Sequence, residues 1–161
     1  MHAWSNVSRH GGTIMGKYGP SGGGGGGPNP GFVMSVDKEV SEVLVHIGHR
    51  VEVGDFPRFI VAIEFVPRQG SLQRFGGEGD ADGHLSFPLA SGDAISKITG
   101  LAEAYPIHIR IWLKSGRVSD PLGDALGTAA YPFEFDGGNQ QIVGLWGRTG
   151  AWIDAIGVYT A

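Results

Sequence analysis

An acidic residue interrupts an apolar run near the end of the chain. The stretch is GRTGAWIDAIGVYTA, residues 147–161, in which a turn of small residues leads into an apolar strand that carries Asp154. An ionised carboxylate can accept hydrogen bonds from two adjacent hydroxyl groups, and the backbone N–H groups of a glycine turn can donate to further oxygens. This pairing suits a ligand with several hydroxyl groups. Asp154 could equally bond the N–H groups of its own turn, and the stretch by itself leaves both interpretations open.

Six consecutive glycines form the second unusual feature. They occupy residues 22–27 within GKYGPSGGGGGGPNPG, residues 16–31, with Pro20 on one side and Pro28 and Pro30 on the other. Proline fits neither a helix interior nor a central strand, so we predict a loop over residues 16–31. The run matches the spacing of a dinucleotide-binding glycine fingerprint, but the prolines exclude the helix whose N-terminus would hold the phosphates. Nucleotide binding is therefore not expected.

Two further patterns could suggest a metal site, and both fail. EGDADG, residues 78–83, copies the first half of a calcium-binding EF-hand loop, but its twelfth position is Leu89 instead of the required glutamate. His46 and His49 are three positions apart in a predicted strand, which places them on opposite faces of the sheet. The chain contains no cysteine, so a thiolate site is excluded. We therefore predict neither a metal nor a cofactor.

One acidic pair is compatible with catalysis. Glu134 and Asp136 lie two positions apart in YPFEFD, and a glycoside hydrolase needs two carboxylates on opposite sides of a cleft. Side chains two apart in a strand share one face, so we interpret this pair as an exposed strand surface. We therefore keep a glycan-processing enzyme only as the weakest candidate function.

Length and composition favour one domain rich in turns. The chain has 161 residues, 29 glycines, 9 prolines and only 17% charged residues, which suits many short strands joined by turns. A net charge of −4 provides no basic surface for nucleic acid. No stretch approaches the roughly 20 apolar residues of a spanning helix, so membrane insertion is not expected. The first residues lack the apolar core of a signal peptide, and we expect a cytoplasmic or non-classically secreted protein.

A repeat indicates the fold. Apolar strands are predicted at Ile60–Val66, Ile107–Leu113 and Ile153–Tyr159, at intervals of about 46 to 47 residues. Glycine-rich turns recur beside these strands, and no segment shows a sustained helical period. We therefore predict an all-β domain in which three similar sheets are related by a pseudo-threefold axis.

A domain boundary is predicted near residue 15. Residues 1–15 are polar and without a regular pattern, so we predict an N-terminal arm followed by one domain over residues 16–161. Trp4, Ile14 and Met15 are the arm residues that could dock on the domain.

Three stretches resemble one family. GKYGPSGG (16–23), RFGGEG (74–79) and IVGLWGRTGAWIDAIGVY (142–159) are similar to the corresponding parts of the jacalin-related lectins, in particular the mannose-binding members. The resemblance extends over roughly residues 16–161. It implies the β-prism I fold, with three four-stranded antiparallel Greek-key sheets around a pseudo-threefold axis, and carbohydrate binding without catalysis.

The resemblance also implies a set of binding residues. Asp154 would accept hydrogen bonds from O4 and O6 of a hexose. The N–H groups of Ala151 and Trp152 would face its O5 and O6 side, and the N–H group of Gly23 would donate to O3. Gly150 opens this loop, and the Trp152 ring could also cover an apolar face of the sugar. The implied carbohydrate site consists of Gly23, Gly150, Ala151, Trp152 and Asp154.

The resemblance favours mannose or glucose and a single site. Galactose-preferring members use an N-terminus freed by cleavage at the first glycine loop, whereas here that loop lies inside the chain. Some members carry a second site in another repeat. In VEVGDFPRFIVAIEF the matching loop starts at Asp55, but FPRF, which contains Arg58, displaces the later aspartate, so we expect that site to be damaged. The middle repeat has Pro106 and no aspartate at the matching place.

The expected partners are glycans or glycoproteins that contain mannose or glucose. Small sugar sites bind weakly, so useful avidity needs several sites and favours a homo-oligomer, most simply a dimer. The six-glycine run is longer than is usual in the family, which predicts a mobile loop and a lower affinity because of the cost of ordering it. The alternative function is a structural or protein-interaction β-prism with a vestigial sugar site.

Overall fold

Strands account for all the regular secondary structure that is described. The structure is a computed structural model that describes residues 2–7, 13–49, 58–124 and 130–161. Within these ranges no helix is long and apolar enough to cross a membrane. The strands are β1 His2–Val7, β2 Thr13–Gly22, β3 Gly27–Val33, β4 Val40–His49, β5 Arg58–Pro67, β6 Gln73–Gly76, β7 Gly83–Pro88, β8 Ile95–Ala102, β9 Pro106–Leu113, β10 Leu122–Gly123, β11 Tyr131–Asp136, β12 Ile142–Thr149 and β13 Ile153–Thr160.

The strands form three antiparallel sheets, as predicted. The orders are β1-β2-β13-β12-β3 in the first sheet, β6-β5-β4-β7 in the second and β10-β9-β8-β11 in the third. In the second and third sheets a central hairpin is flanked by the next two strands along the chain, which is the Greek-key order. The first sheet has the same order, but its hairpin is β12–β13 and the flanking strands β2 and β3 come from the other end of the chain. β1 adds a fifth strand to its edge, beyond the four predicted.

The loop predicted over residues 16–31 is wrong at both ends, because β2 extends to Gly22 and β3 begins at Gly27. Pro20 is tolerated in β2 because it falls where the pairing with β13 is irregular, and Pro28 and Pro30 are tolerated because β3 is an edge strand.

The pseudo-threefold repeat is visible in individual hydrogen bonds. In each sheet one flanking strand, β2, β6 or β10, ends at a glycine. The residue after that glycine donates its N–H to a carbonyl near the start of the adjacent central strand, which is β13, β5 or β9, respectively. The accepting residues are Val61, Ile107 and Asp154, and the donors are Gly77 (2.7 Å), Asp124 (3.1 Å) and Gly23 (2.9 Å), respectively. The three strands predicted to repeat along the sequence are these three central strands, so the predicted repeat is confirmed.

The apolar core lies between the three sheets. In β4, for example, Val43, Val45 and Ile47 are buried, while the residues between them are more exposed. Phe65 of the second sheet packs edge-on against Phe32 of the first, with ring centroids 5.2 Å apart. Burial of one such side chain contributes about 1.5–3 kcal/mol. The packed interior therefore fixes the ends of the sheets, from which the loops project.

The N-terminal segment takes part in the first sheet. β1 pairs antiparallel with β2, and β2 already includes Ile14, which packs on an apolar cluster of the sheet, and the exposed Met15. The docking predicted for Trp4 lies outside the described side chains. The predicted division into an arm, 1–15, and a domain, 16–161, falls within β2, and the independence of the two parts stays a prediction.

Candidate functional site

Asp154 is the second residue of β13 and lies near the end of the prism. Only 9% of its surface is exposed, and Ile153 before it and Ala155 after it are buried. Its backbone carbonyl accepts the N–H of Gly23 at 2.9 Å. Among the described residues no group donates a hydrogen bond to its carboxylate, so the interpretation of Asp154 as a carboxylate that caps its own turn is not supported. The charge of a mostly buried residue is costly unless hydrogen-bond donors stabilise it, and Asp154 is therefore the first candidate for a ligand-binding residue.

Two backbone loops meet at the carboxylate of Asp154. A Cβ atom placed on Gly25 would lie 2.7 Å from Oδ1, and one on Gly26 would lie 2.5 Å from Oδ2. From the other side, a Cβ atom on Gly150 would lie 3.6 Å from Oδ2. Gly26 also has a φ of +63°, which favours glycine. The six-glycine run and the loop before β13 therefore bring bare backbone up to the acid.

Burial controls the electrostatics of the site. Desolvation raises the pKa of Asp154 above its ordinary value of 3.8, and the positive charge of Arg148 opposes that rise. The larger effect is burial, so the ionised form lacks stabilisation that a set of donors would supply. Hydroxyl groups of a ligand are donors of this kind.

The loop before β13 is held by backbone hydrogen bonds. The N–H of Gly150 donates to the carbonyl of Trp152 at 2.9 Å, which closes the turn. The carbonyls of Gly150 and Ala151 accept the N–H groups of Glu78 and Gly79 at 2.9 and 2.8 Å. The segment RFGGEG, which the sequence supplied only as part of a family resemblance, thus supports the loop directly.

The backbone donors of the site differ in availability. The N–H of Gly23 is occupied by the Asp154 carbonyl. The N–H groups of Gly24, Gly25 and Ala151 have no hydrogen-bond acceptor among the described residues. Gly24, Gly25 and Ala151 are also exposed, so they can reach a ligand. The sequence had singled out Gly23 and Ala151 but not the two glycines that follow Gly23.

The side chain of Trp152 packs into an aromatic cluster at the same end of the prism. Its ring stacks on Phe59, with centroids 4.4 Å apart and an angle of 27°, and Tyr105 approaches both rings edge-on. These three residues come from the three repeats. One face of the indole is therefore covered by protein, which the sequence could not indicate because Phe59 lies far from Trp152 along the chain.

The other two repeats have apolar residues where β13 has its acid. Val61 and Ile107 occupy the position equivalent to Asp154, and both are buried. Asp55, which was considered for a second site, and the side chain of Arg58 lie outside the described residues. Of the three equivalent positions, only Asp154 offers a carboxylate.

The remaining acidic and histidine candidates have ordinary surface surroundings. Glu134 is exposed and lies 3.5 Å from the ammonium group of Lys97. The carboxylate of Asp136 accepts the N–H of Gly138 at 2.8 Å. His46 contacts the carboxylate of Glu64, and the side chain of His49 is not described. Over the part of the chain that the structure describes, no three His, Cys, Asp or Glu residues come together as a metal site.

Three Greek-key sheets around one core define a β-prism, in which a mostly buried acid lies beside two backbone loops. The chain belongs to the family of Jacalin-like lectin domains, whose family model matches residues 18–159. Lectins of this family bind carbohydrate and are not enzymes, which confirms both of these predictions at the level of the class.

Solved structures of several plant lectins share the fold. Calystegia sepium agglutinin is 24% identical, with 92% of this chain and 97% of that chain covered and a TM-score of 0.71. A Malaysian banana lectin is 26% identical, with coverages of 90% and 96% and a TM-score of 0.62. Artocarpin in complex with mannotriose is 20% identical, with the same coverages and a TM-score of 0.63. The comparison with curated proteins gives no match.

Proposed function

We propose that this protein is a lectin that recognises mannose- or glucose-type glycans through one site centred on Asp154. The observation that carries the proposal is the carboxylate of Asp154, a residue that is only 9% exposed. This carboxylate receives no hydrogen bond from the described residues and lies between two loops of bare backbone. Adjacent hydroxyl groups of a hexose would supply the missing donors in two charge-assisted hydrogen bonds.

The backbone around the acid would orient the sugar. Asp154 accepts from two hydroxyl groups, and the N–H of Ala151, together with that of Trp152, donates to oxygens on the same side of the ring. On the opposite side we assign the donor role to Gly24 and Gly25 instead of Gly23, because the N–H of Gly23 is bonded to Asp154. These donors are backbone groups, so binding does not require additional donor side chains to be ordered.

The preference for mannose or glucose rests on two supports. The glycine loop lies inside the given sequence, between β2 and β3, whereas the galactose-preferring type of the family uses a freed N-terminus at this place. Among similar structures, artocarpin was solved with mannotriose and the Champedak protein is described as a mannose-binding lectin. The Champedak lectin is 21% identical, so its name supports the sugar class only together with the site.

A site of this size is expected to bind a monosaccharide weakly. A dissociation constant of about 1 mM corresponds to roughly 4 kcal/mol, so tight binding of a glycan would need several sites acting together. We propose that the chain forms a homo-oligomer, with a dimer as the simplest case. Sedimentation equilibrium of the full chain measures this directly. We further propose that it acts in the cytoplasm or after non-classical secretion.

Calorimetric titration with methyl α-mannoside, methyl α-glucoside and methyl α-galactoside tests the proposal. The wild type should bind the first two and not the third, and Asp154→Asn should lose at least about tenfold in affinity because two hydrogen bonds to a charge are weakened. Asp136→Asn is the matched control, since Asp136 is an exposed acid elsewhere on the prism.

Two results would contradict the proposal. Unchanged mannoside affinity in Asp154→Asn would exclude this site. No binding of any sugar on a glycan array by the wild type would favour the alternative, a structural or protein-interaction β-prism.

A further inference from the structure

The six-glycine loop is exposed but is tied to the prism by side chains. Ordering one flexible residue costs about 1–2 kcal/mol, and glycine loses more freedom than any other residue. Gly24, Gly25 and Gly26 are all exposed, so burial does not hold the loop. What holds it must be hydrogen bonds from outside the run.

Tyr131 holds the start of the loop. Its hydroxyl group accepts the N–H of Gly22 at 3.0 Å and donates to the Gly22 carbonyl at 3.1 Å. Tyr131 belongs to β11 of the third sheet, so the contact ties the loop to a different sheet from its own. Its ring is exposed, which means that packing does not explain why a tyrosine is placed here.

Arg148 holds the far end of the loop. Its Nε donates to the carbonyl of Gly25 at 3.1 Å and its Nη2 donates to the carbonyl of Gly26 at 2.9 Å. The planar guanidinium group makes both bonds at once, a geometry that the ammonium group of lysine does not reproduce. These are the two glycines whose backbone lies against the carboxylate of Asp154.

Close backbone contacts complete the restraint near the start of the loop. A Cβ atom on Gly22 would lie 2.2 Å from the Asp154 carbonyl oxygen, and one on Gly23 would lie 2.1 Å from the Ala104 carbonyl oxygen. Gly24, by contrast, has open space around it. The loop is therefore held at both ends and is free only at its tip.

We propose that Arg148 and Tyr131 are positioning residues that hold the six-glycine loop against Asp154 before a ligand arrives. This inference rests on the proposed carbohydrate-binding function for its effect on affinity. A loop ordered in advance spares the ligand the entropy cost of ordering it, and binding is tighter by that amount. The mobile loop that six glycines predict is thus restrained by two residues outside the run.

The ligand-free protein provides the first test. ¹⁵N relaxation should give order parameters typical of an ordered backbone, about 0.85, for the amides of Gly23, Gly25 and Gly26 in the wild type, and values below about 0.6 for Gly25 and Gly26 in Arg148→Lys. Tyr131→Phe should lower the order parameters of Gly22 and Gly23. Unchanged order parameters in both variants would overturn the proposal.

The matched controls remove similar bonds elsewhere. Tyr159→Phe deletes a hydroxyl group that donates to the Pro30 carbonyl at 2.9 Å, outside the glycine run. Arg117→Lys alters an arginine that donates to the Pro88 carbonyl at 3.1 Å. Neither control should change the loop amides. Thermal melting of every variant verifies that it is folded, and Tyr131→Phe keeps the exposed ring and removes only the hydroxyl group.

Sugar titration provides the second test. Arg148→Lys should weaken methyl α-mannoside binding about tenfold and Tyr131→Phe about threefold, as expected for hydrogen bonds of this kind. A loss of affinity without any change in loop order would overturn the positioning role. If the wild type bound no sugar, the proposed function would fail, while the relaxation data would still decide whether the two residues order the loop.

A pH series separates the charge of Arg148 from its hydrogen bonds. Arg148→Gln removes the positive charge that lowers the pKa of Asp154, so the pH of half-maximal binding should rise. Arg148→Lys keeps the charge and should leave that pH near the wild-type value while still weakening binding. If Arg148 had only a general structural role, the pH of half-maximal binding would not differ between Arg148→Gln and Arg148→Lys.

Discussion

The protein keeps an acid where an acid is unfavourable. Asp154 is nine-tenths buried, its pKa is raised by desolvation, and its carboxylate receives no hydrogen bond from the described residues. Selection for stability alone favours an apolar residue here, as Val61 and Ile107 illustrate at the equivalent positions. The residue is better explained by binding than by folding.

Asp154→Asn is therefore predicted to separate function from stability. The amide has no charge to desolvate, so the midpoint of urea denaturation should stay the same or rise, while mannoside affinity falls by the amount given above. Denaturation and calorimetry on the same sample measure both quantities. A large drop in stability would mean that the carboxylate holds the fold together, contrary to our interpretation.

Binding is predicted to depend on pH through the same carboxylate. Because the folded pKa lies above 3.8, the folded chain binds this proton more tightly than the unfolded chain, and between the two pKa values this group lowers stability as pH rises. Sugar hydroxyl groups require the ionised form. Mannoside affinity should thus be constant above the raised pKa and fall below it, by at most about tenfold per pH unit. Calorimetry from pH 7 downwards checks this, and a slope retained in Asp154→Asn would assign it to another group.

At the scale of elements, the glycine loop contains positions with opposite requirements. Gly26 has a φ of +63°, and a Cβ atom there would lie 2.4 Å from the Thr149 carbonyl oxygen and 2.5 Å from Oδ2 of Asp154. Gly24 has no atom within 4 Å of such a Cβ. Glycine is thus required at one position and merely present at the other.

We predict that Gly26→Ala abolishes measurable mannoside binding, whereas Gly24→Ala retains it. Alanine at position 24 also restricts the unfolded chain, which can stabilise the protein by about 0.4–1 kcal/mol. Calorimetry and urea denaturation of the two variants provide the comparison. Equal loss of binding in both would show that the tip of the loop is as constrained as its end.

The sequence predicted the three central strands better than it predicted the contacts between loops. Alternation and the spacing of the apolar runs were sufficient for the three central strands, because side-chain period and repeat length are local or regular properties. The hydrogen bonds of Arg148 to the glycine loop join residues 122 and 123 positions apart, and the stacking of Trp152 on Phe59 joins two repeats. Such pairings depend on how the sheets pack, which no local pattern records.

The occupied N–H of Gly23 illustrates the same limit at the site. The family motif assigned it to the ligand, yet its role here follows from the register of β2 against β13, in which Gly22 lies opposite Ala155. The register of β2 against β13 becomes apparent only when the pairing of the strands is known.

At the scale of the whole molecule, the threefold similarity of the sheets does not extend to the acid, because Val61 and Ile107 occupy the positions equivalent to Asp154. The loop before β9 has the same internal hydrogen bond as the loop before β13, from the N–H of Glu103 to the carbonyl of Tyr105 at 2.9 Å. Yet Ile107 follows where β13 has Asp154. The turn is therefore repeated before β9, but the carboxylate acceptor of β13 is not.

We therefore predict one monosaccharide per chain in calorimetry, and that Ile107→Asp does not create a second site. A carboxylate at that buried position should instead destabilise the fold by about 2–4 kcal/mol, against about 0.5–1.5 kcal/mol for the conservative control Ile107→Val. Urea denaturation gives the two free energies. A stoichiometry of two sugars per wild-type chain would place a functional site in another repeat.

The first sheet differs from the others in how it is closed. The second and third sheets are each assembled from consecutive strands, whereas the first joins β2 and β3 to β12 and β13, so its pairing must overcome the entropy of a much longer loop. The proposed site lies on this closure, between β2 and β13. A bound sugar would then stabilise the pairing of β2 with β13. It should slow hydrogen exchange in these two strands and leave exchange in the other two sheets nearly unchanged.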